Sequence, residues 1–240
     1  MIPYIAEFIG TTIIVILGDG VCANVFLTRS GMNGPVLVQV SFGWGCAVFL
    51  PAFPSGAVSG GHFNPALTIA MASIGKFAWA SVPGYIIAQI AGGIFGGILV
   101  YLLFADHFNS TEDAGVIRGC FCTSPSIRNI PRNFLSEIIG TFILVFSILG
   151  VGNVTGAGNV GVNYMLVFGI ITSIGMSLGG LTGYAINPAR DLGPRIAHAL
   201  MPMKYKGGSD WSYGLSVPVF GPIIGGLLAA ALYFFMFIQK

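Results

Sequence analysis

Charged side chains are scarce in this sequence. Asp, Glu, Lys and Arg together make up 8% of its 240 residues, whereas soluble globular domains carry about 25%. Hydrophobic residues make up 55%, and the mean hydropathy is +0.86. Such a chain has too few charges to cover a surface in water, so we expect one domain embedded in a lipid bilayer. The net charge of +2, without any basic cluster, gives no indication of a nucleic-acid partner.

Cysteine and histidine are also rare, with four and three copies. Cys22 and Cys46 lie in apolar runs, while Cys120 and Cys122 lie in a polar loop. Two closely spaced thiols without a second pair do not complete a metal site. No Ser-His-Asp or Cys-His grouping is evident either. We therefore expect neither a metal, nor another cofactor, nor an enzyme.

Long apolar runs, by contrast, are abundant. About 20 mostly apolar helical residues cross the hydrocarbon core of a bilayer, which is about 30 Å thick. The runs here are continuous, which favours helices over the alternating strands of a barrel. The sequence therefore predicts six transmembrane helices, at about 4–27, 36–54, 82–104, 133–152, 163–180 and 216–238.

Two further apolar segments are too short to span a membrane. Asn64 to Ile74 covers 11 residues, about 16 Å of helix, and Asn187 to Leu200 is similar. Each begins with Asn-Pro, which places a strong N-cap before a residue suited to the first helical position. The sequence predicts two re-entrant half-helices that begin at Asn64 and Asn187.

The two halves of the chain resemble each other. Three landmarks recur in the same order at spacings of 123 to 130 residues: Glu7-Phe8-Ile9-Gly10-Thr11 with Glu137-Ile138-Ile139-Gly140-Thr141, Asn64-Pro65-Ala66 with Asn187-Pro188-Ala189, and Gly92, Gly96 and Gly97 with Gly221, Gly225 and Gly226. We place the first repeat at about 1–104, the second at about 133–240, and a polar surface connection at about 105–132. Each repeat has three full spans, an odd number, so the second repeat is inverted and the half-helices enter from opposite faces.

Two loops carry a resemblance to a known family. They read Gly60-Gly61-His62-Phe63-Asn64-Pro65-Ala66 and Gly183-Tyr184-Ala185-Ile186-Asn187-Pro188-Ala189-Arg190. Within six spans, this pair of Asn-Pro-Ala motifs resembles the signature loops of the aquaporin, or major intrinsic protein, superfamily. Asp191 after the Arg is similar to the glycerol facilitator branch. The resemblance implies the aquaporin fold and a homotetramer, with both termini on the cytoplasmic side of a bacterial plasma membrane.

Matching the narrowest constriction of that family residue by residue gives Trp44, Gly175, Tyr184 and Arg190. Water channels usually have His at the position of Gly175, so Gly is expected to leave a wider opening. Trp44 and Tyr184 would face a carbon chain while the Arg190 guanidinium donates to hydroxyls. Glycerol facilitators more often have Phe at Tyr184, and the extra phenol admits urea, neutral lactic acid or more water.

The half-helix ends suggest how such a pore excludes ions. Each amino-terminal end carries about half a positive charge, and two such ends facing one point repel cations. The Asn64 and Asn187 amides can donate to a passing oxygen. We expect the extended loops to add a ladder of acceptors from the carbonyls of Gly60, Gly61, His62, Phe63, Gly183, Tyr184 and Ala185.

Several acidic residues lie within apolar segments, where a charge needs a partner. The resemblance implies that Glu7 and Glu137 hold the pore loops through hydrogen bonds to backbone N–H groups or to His62. Asp191 is expected to brace the loop of Arg190. Asp19 either lines a vestibule or is merely solvated, and we expect His107 and His198 on the surface.

The positive-inside rule does not favour the implied orientation. With both termini in the cytoplasm, the cytoplasmic side holds Lys76 and Lys240, while the outer side holds Arg29, Arg118, Arg128, Arg132, Lys204 and Lys206, besides Arg190 and Arg195. Long and re-entrant loops weaken the rule, so we keep the orientation that the resemblance implies.

The sequence thus predicts a passive channel for small uncharged polar solutes, glycerol and similar polyols first. A lactic-acid or water facilitator with little glycerol preference is the nearest alternative. A secondary transporter would also have inverted repeats and broken helices. An ion channel would need an acidic or carbonyl-lined filter without a positive barrier.

Overall fold

The computed structural model describes residues 1–34 and 37–238, and within these ranges the regular structure is helical, without strands. Residue 36, where the second predicted span begins, and Lys240 lie outside the described residues. The helices are α1 (Ile2–Phe26), α2 (Leu37–Ser59), α3 (Pro65–Ser73), α4 (Val82–Ser110), α5 (Ala114–Gly119), α6 (Ile130–Val151), α7 (Val162–Thr182), α8 (Pro188–Leu200), α9 (Trp211–Gly214) and α10 (Val217–Tyr233). Short turns of 3₁₀-helix at Trp79–Ser81 and Ala157–Asn159 and a π-helical turn at Phe234–Ile238 complete the fold.

The six predicted spans are confirmed as α1, α2, α4, α6, α7 and α10, which are long and apolar enough to cross a membrane. Large apolar side chains point outward from them, as with Ile87 and Leu103, which are more than 60% exposed. The chain is therefore a multi-pass membrane protein. Helix α4 continues past its predicted end at 104, because the backbone leaves helical dihedrals only at Phe104 and then resumes.

The two predicted half-helices are confirmed as α3 and α8. The Asn64 side chain accepts a hydrogen bond from the N–H of Ala66, and the Asn187 side chain accepts from Ala189 and Arg190. Pro at the first helical position of each lacks the N–H that would otherwise be unsatisfied there. Both half-helices thus begin where the Asn-Pro pair predicts.

Packing follows the internal repeat. Helix α1 packs against α2 and α4, and α6 packs in the same way against α7 and α10. Each half-helix packs mainly against a helix of the other half: α3 against α10, and α8 against α4. Glycines let the long helices touch backbone to backbone, since a Cβ on Gly92 would lie 2.4 Å from the Phe8 carbonyl oxygen and one on Gly225 2.2 Å from that of Ile138.

The connection between the halves is more deeply packed than its polar composition suggests. Cys120 and Phe121 are completely buried, and Phe121 meets the ring of His198 edge to face. His198 is itself fully buried, with its Nδ1 atom 2.8 Å from the Ser209 hydroxyl. The prediction that His198 lies on the surface is wrong, because α8 turns this face towards the connecting segment.

Candidate functional site

Two cavities enter the helical bundle and are separated by three side chains. The first, of about 240 Å³, is lined by both Asn-Pro-Ala loops and by apolar residues of the long helices. The second, of about 600 Å³, is lined by α2, α7 and the connecting segment. Trp44, Tyr184 and Arg190 line both cavities. Any molecule that passes from one cavity to the other therefore passes these three side chains.

Arg190 is held against an aromatic face at this point. Its guanidinium carbon lies 3.9 Å from the centroid of the Trp44 ring. Trp44 in turn packs on α1, where a Cβ on Gly18 would lie 2.3 Å from the indole. No guanidinium nitrogen of Arg190 donates a hydrogen bond to any residue in the described ranges. Nη1 is buried and faces Asp19, so Nε and Nη2 remain available as donors to a solute.

Tyr184 is the third side chain of the constriction. Its ring lies against α7, at 2.9 Å from a Cβ built on Gly175 and at 2.8 Å from one built on Gly179. The hydroxyl is buried and has no hydrogen-bond partner among the described residues. The space beside Gly175 is thus occupied by the Tyr184 ring.

The two Asn-Pro-Ala loops are cross-braced at their centre. The amide nitrogen of Asn64 donates to the Ile186 carbonyl at 2.8 Å, and that of Asn187 donates to the Phe63 carbonyl at 2.8 Å. Since each amide oxygen caps its own half-helix, one N–H of each amide remains for the cavity. The two amino-terminal helix ends meet at this point.

The loops before the half-helices have the irregular backbone that was expected. Residues with positive φ occur in both: Gly60, Gly61 and Phe63 in the first, and Gly183, Tyr184 and Ile186 in the second. Such dihedrals do not occur in regular helices or strands, and they are costly for residues with a Cβ. The residues that line the first cavity from these loops are Gly60, Gly61, His62, Phe63, Tyr184, Ala185 and Ile186. Gly183 lines the second cavity instead.

Glu7 supports the first loop from α1. Its carboxylate accepts hydrogen bonds from the backbone N–H of His62 at 3.0 Å and of Phe63 at 2.6 Å, and from the hydroxyl of Ser59 at 2.7 Å. Gln89 donates to the same carboxylate at 2.7 Å. A buried carboxylate with this many donors fixes a strained loop that has no regular secondary structure of its own.

Glu137 does the same for the second loop from α6. It accepts from the backbone N–H of Ala185 at 3.0 Å and of Ile186 at 2.8 Å, and from the hydroxyl of Thr182 at 2.7 Å. The two acids hold equivalent residues of the two repeats, because Phe63 and Ile186 each precede an Asn-Pro-Ala motif. The two pore loops are therefore built in the same way.

Asp191 has a different neighbour from the one expected. Its carboxylate accepts from the backbone N–H and hydroxyl of Thr123, at 2.7 and 2.6 Å, and pairs with Arg195 at 2.8 Å. Arg195 is completely buried and also donates to the carbonyls of Thr123 and Ser209. Asp191 thus ties the connecting segment to α8, and reaches Arg190 only through the helix.

Sequence reasoning did not single out Gln89 or the partner of Asp19. Gln89 donates to both Glu7 and Thr68, and a lone amide in an otherwise apolar span is a signal that could have identified it. Asp19 is 1% exposed, with one carboxylate oxygen 3.8 Å from a guanidinium nitrogen of Arg190. It lines neither cavity, so neither expectation for Asp19 describes it.

No group of three or more His, Cys, Asp or Glu side chains in the described part of the chain is arranged to hold a metal ion. The four cysteines, all within the described ranges, are free thiols. Burial raises the pKa of the Cys122 thiol, which lies in the connecting segment, to about 12. The Cys122 thiol is therefore protonated and unreactive at neutral pH.

Known proteins resemble this chain along nearly its full length. The model of the family described as "Major intrinsic protein" matches residues 2–233. A "Probable glycerol uptake facilitator protein" of Thermotoga maritima is 50% identical over 237 residues, which cover 99% of this chain and all of the relative. A "D/L-lactic acid transporter" of Lactiplantibacillus plantarum is 39% identical, with 94% of each chain covered.

One solved structure has the same architecture. The X-ray structure of the aquaglyceroporin from Plasmodium falciparum superimposes with a TM-score of 0.83 at 33% sequence identity. The match covers 96% of this chain and 93% of the other.

Proposed function

This chain belongs to the major intrinsic protein family and is a membrane channel rather than an enzyme, and we propose that glycerol and similar small polyols are its main solutes. The observation that carries the proposal is the constriction between the two cavities. Trp44 and Tyr184 supply apolar surface for a carbon chain, and the Arg190 guanidinium supplies free hydrogen-bond donors. A polyol needs both within the same opening.

Names of relatives support the same solute. The relative from Thermotoga maritima, at 50% identity, is named a glycerol uptake facilitator, and the structural neighbour is named an aquaglyceroporin. The residues of the constriction come from α2, from α8 and from the loop before α8, and those elements are fixed by the cross-braced Asn residues and the Glu7 and Glu137 hydrogen bonds.

Exclusion of ions and protons is part of the proposal. The amino-terminal ends of α3 and α8 meet beside Asn64 and Asn187, where their partial positive charges oppose cations. Each Asn keeps one amide N–H for the cavity, so a passing molecule receives two hydrogen bonds at once. A molecule that accepts hydrogen bonds from both Asn amides cannot relay a proton to the next molecule in the pore.

Neutral lactic acid, urea and water form the second candidate group. The phenol of Tyr184 favours them, because its ring lines both cavities and its hydroxyl, which lies near that of Ser41, is a polar group that a Phe would lack. The lactic acid transporter of Lactiplantibacillus plantarum, at 39% identity, supports this alternative.

The test is flux through purified protein in proteoliposomes, followed by stopped-flow light scattering with water, glycerol, urea and, at low pH, lactic acid. We expect glycerol flux well above that of empty vesicles, linear in the gradient, with a low activation energy. Saturable uptake coupled to protons would identify a secondary transporter instead. Lactic acid flux far above that of glycerol would establish the second candidate.

We also propose a homotetramer in the bacterial plasma membrane with both termini in the cytoplasm. The apolar side chains exposed on the long helices suit contact with lipid and with other copies of the chain. Mass measurement of the detergent-solubilised protein and protease accessibility of tagged termini test these two points separately.

A further inference from the structure

Asp19 is a buried acid that the channel function described so far does not use. It lies in the membrane-spanning part of α1 with 1% of its side chain exposed. One of its oxygens lies 3.8 Å from a guanidinium nitrogen of Arg190, whose side chain is only 10% exposed. A buried charge at membrane depth is costly and needs a reason, and the facing opposite charge supplies one.

The pair is separate from the other acid near this helix end. Asp191 is committed to Arg195 and Thr123, so the Arg190 side chain meets a single carboxylate within 4 Å in the described ranges. The second oxygen of Asp19 has no hydrogen-bond partner there, and neither has the guanidinium nitrogen that faces Asp19. The contact is therefore electrostatic, at a distance too long for a hydrogen bond.

Two neighbouring residues of helix α1, Gly18 and Asp19, contact two side chains of the constriction, Trp44 and Arg190. At Gly18 the helix has no side chain, and the Trp44 indole packs against its backbone. Asp19 then faces the guanidinium that stacks on the same indole. Trp44 fixes the plane of the guanidinium, while Asp19 attracts it from the side away from the cavities, since Asp19 lines neither of them.

We propose that Asp19 is the buried counterion of Arg190, and that it positions the guanidinium and offsets its charge in the constriction. The effect on flux rests on the proposed function, whereas the ion pair does not. Asp19 touches no solute, so it is a positioning residue and a determinant of selectivity through Arg190. With the pair intact, the constriction carries hydrogen-bond donors without a full net charge, and the positive barrier comes from the helix ends.

The test is a double-mutant cycle of Asp19→Asn and Arg190→Val in proteoliposomes. We expect Asp19→Asn alone to change the ratio of glycerol to water flux by about two- to tenfold, the size of coupling seen between neighbouring groups. In the Arg190→Val background the same change should leave that ratio unaltered. An equal change in both backgrounds, or a wild-type ratio for Asp19→Asn, would overturn the proposal.

Ion leak is a measurement that a purely structural role of Asp19 would not change. Arg190→Val removes the positive partner and leaves the Asp19 carboxylate uncompensated, so we expect sodium and proton leak to rise. Adding Asp19→Asn should lower that leak again. If the double variant leaks as much as Arg190→Val alone, Asp19 carries no charge that the constriction senses.

Asp210→Asn is the matched control, because Asp210 also pairs with an arginine, Arg128, but on the protein surface. It should leave flux ratio and leak unchanged in both backgrounds. If Asp19→Asn alone does not fold, the double variant should fold, since it contains no unpaired buried charge; failure of both would contradict the ion pair as the reason.

Thermal unfolding in detergent separates this proposal from the proposed function. Asp19→Asn should lower the unfolding midpoint by several degrees in the wild-type background and by much less beside Arg190→Val. A wild-type protein that conducts no neutral solute would refute the proposed function while this coupling still reported on the ion pair. If the midpoint shifts of Asp19→Asn and Arg190→Val simply add in the double variant, the ion pair is refuted, whatever the channel conducts.

Discussion

The ring of Tyr184 occupies the space beside Gly175. A Cβ built on Gly175 would lie 2.9 Å from both the Cζ atom and the hydroxyl oxygen of Tyr184, and 3.1 Å from the hydroxyl of Ser41. Real Cβ contacts are almost never this short, so any larger residue at 175 must displace the ring. Tyr184 lines both cavities, and a displaced ring therefore changes the opening between them.

Replacing Gly175 with His should reduce glycerol flux more than water flux. The imidazole and the displaced Tyr184 ring would both enter the constriction, and glycerol has the larger cross-section. Stopped-flow light scattering on proteoliposomes measures both rates. Gly169→Ala in the same helix is the control, since a Cβ there meets nothing within 4 Å, and equal losses of the two fluxes in Gly175→His would contradict the size argument.

Replacing Tyr184 with Phe should raise glycerol selectivity. The hydroxyl of Tyr184 lies beside Gly175 and near the hydroxyl of Ser41, and without it the ring still packs on Gly175 and Gly179. We expect water and urea flux to fall by about two- to threefold relative to glycerol, the worth of one modest hydrogen bond. Tyr205→Phe, on a partly buried tyrosine that lines neither cavity, should change none of the three rates.

Replacing Asn64 with Asp should let cations pass. The aspartate oxygen can still cap α3, but the donor to the Ile186 carbonyl is lost and a negative charge is placed where the two positive helix ends meet. Sodium flux into proteoliposomes measures the change. Asn129→Asp is the matched control because Asn129 caps α6 on the surface; sodium exclusion that survives in Asn64→Asp would argue against the helix-end barrier.

Replacing Glu7 or Glu137 with Gln should destabilise the protein and slow flux. In each case the carboxylate now accepts hydrogen bonds from two backbone N–H groups. In the variant, the NH₂ of an amide would face one of these donors. A hydrogen bond to a charged group contributes about 1.5–3 kcal/mol, so we expect a lower thermal unfolding midpoint in detergent. Glu112→Gln, on an exposed residue, should unfold at the wild-type midpoint; the assignment fails if the buried variants do so too.

Much of the architecture follows from the sequence because its causes are local. Apolar run length sets the six spans, and an Asn-Pro pair starts each half-helix through a cap that involves only the next few residues. The correspondence of Glu7 and Glu137 could also be recognised from the sequence, because the short motif around each of them recurs. The prediction for His198 is wrong for the opposite reason, since its burial depends on where the connecting segment packs.

In the constriction, too, some features could be predicted from the sequence and others could not. Trp44, Tyr184 and Arg190 were identified through the resemblance to a known family, but the filling of the Gly175 space by Tyr184 was not. That outcome depends on which way a side chain points from a loop with positive φ. The contribution of Gln89 to the Glu7 carboxylate likewise requires α1 and α4 to pack at close range.

The sequence alone therefore determined that this chain spans a membrane six times, repeats itself and brings two capped half-helices towards each other. Hydropathy and helix capping act between residues close along the chain, so they can be read in order. Only the tertiary structure decided that Asp19 faces Arg190 and that Tyr184 fills the space beside Gly175. Such contacts join residues from different helices, and their distances depend on the rotation and close approach of those helices, which no local pattern specifies.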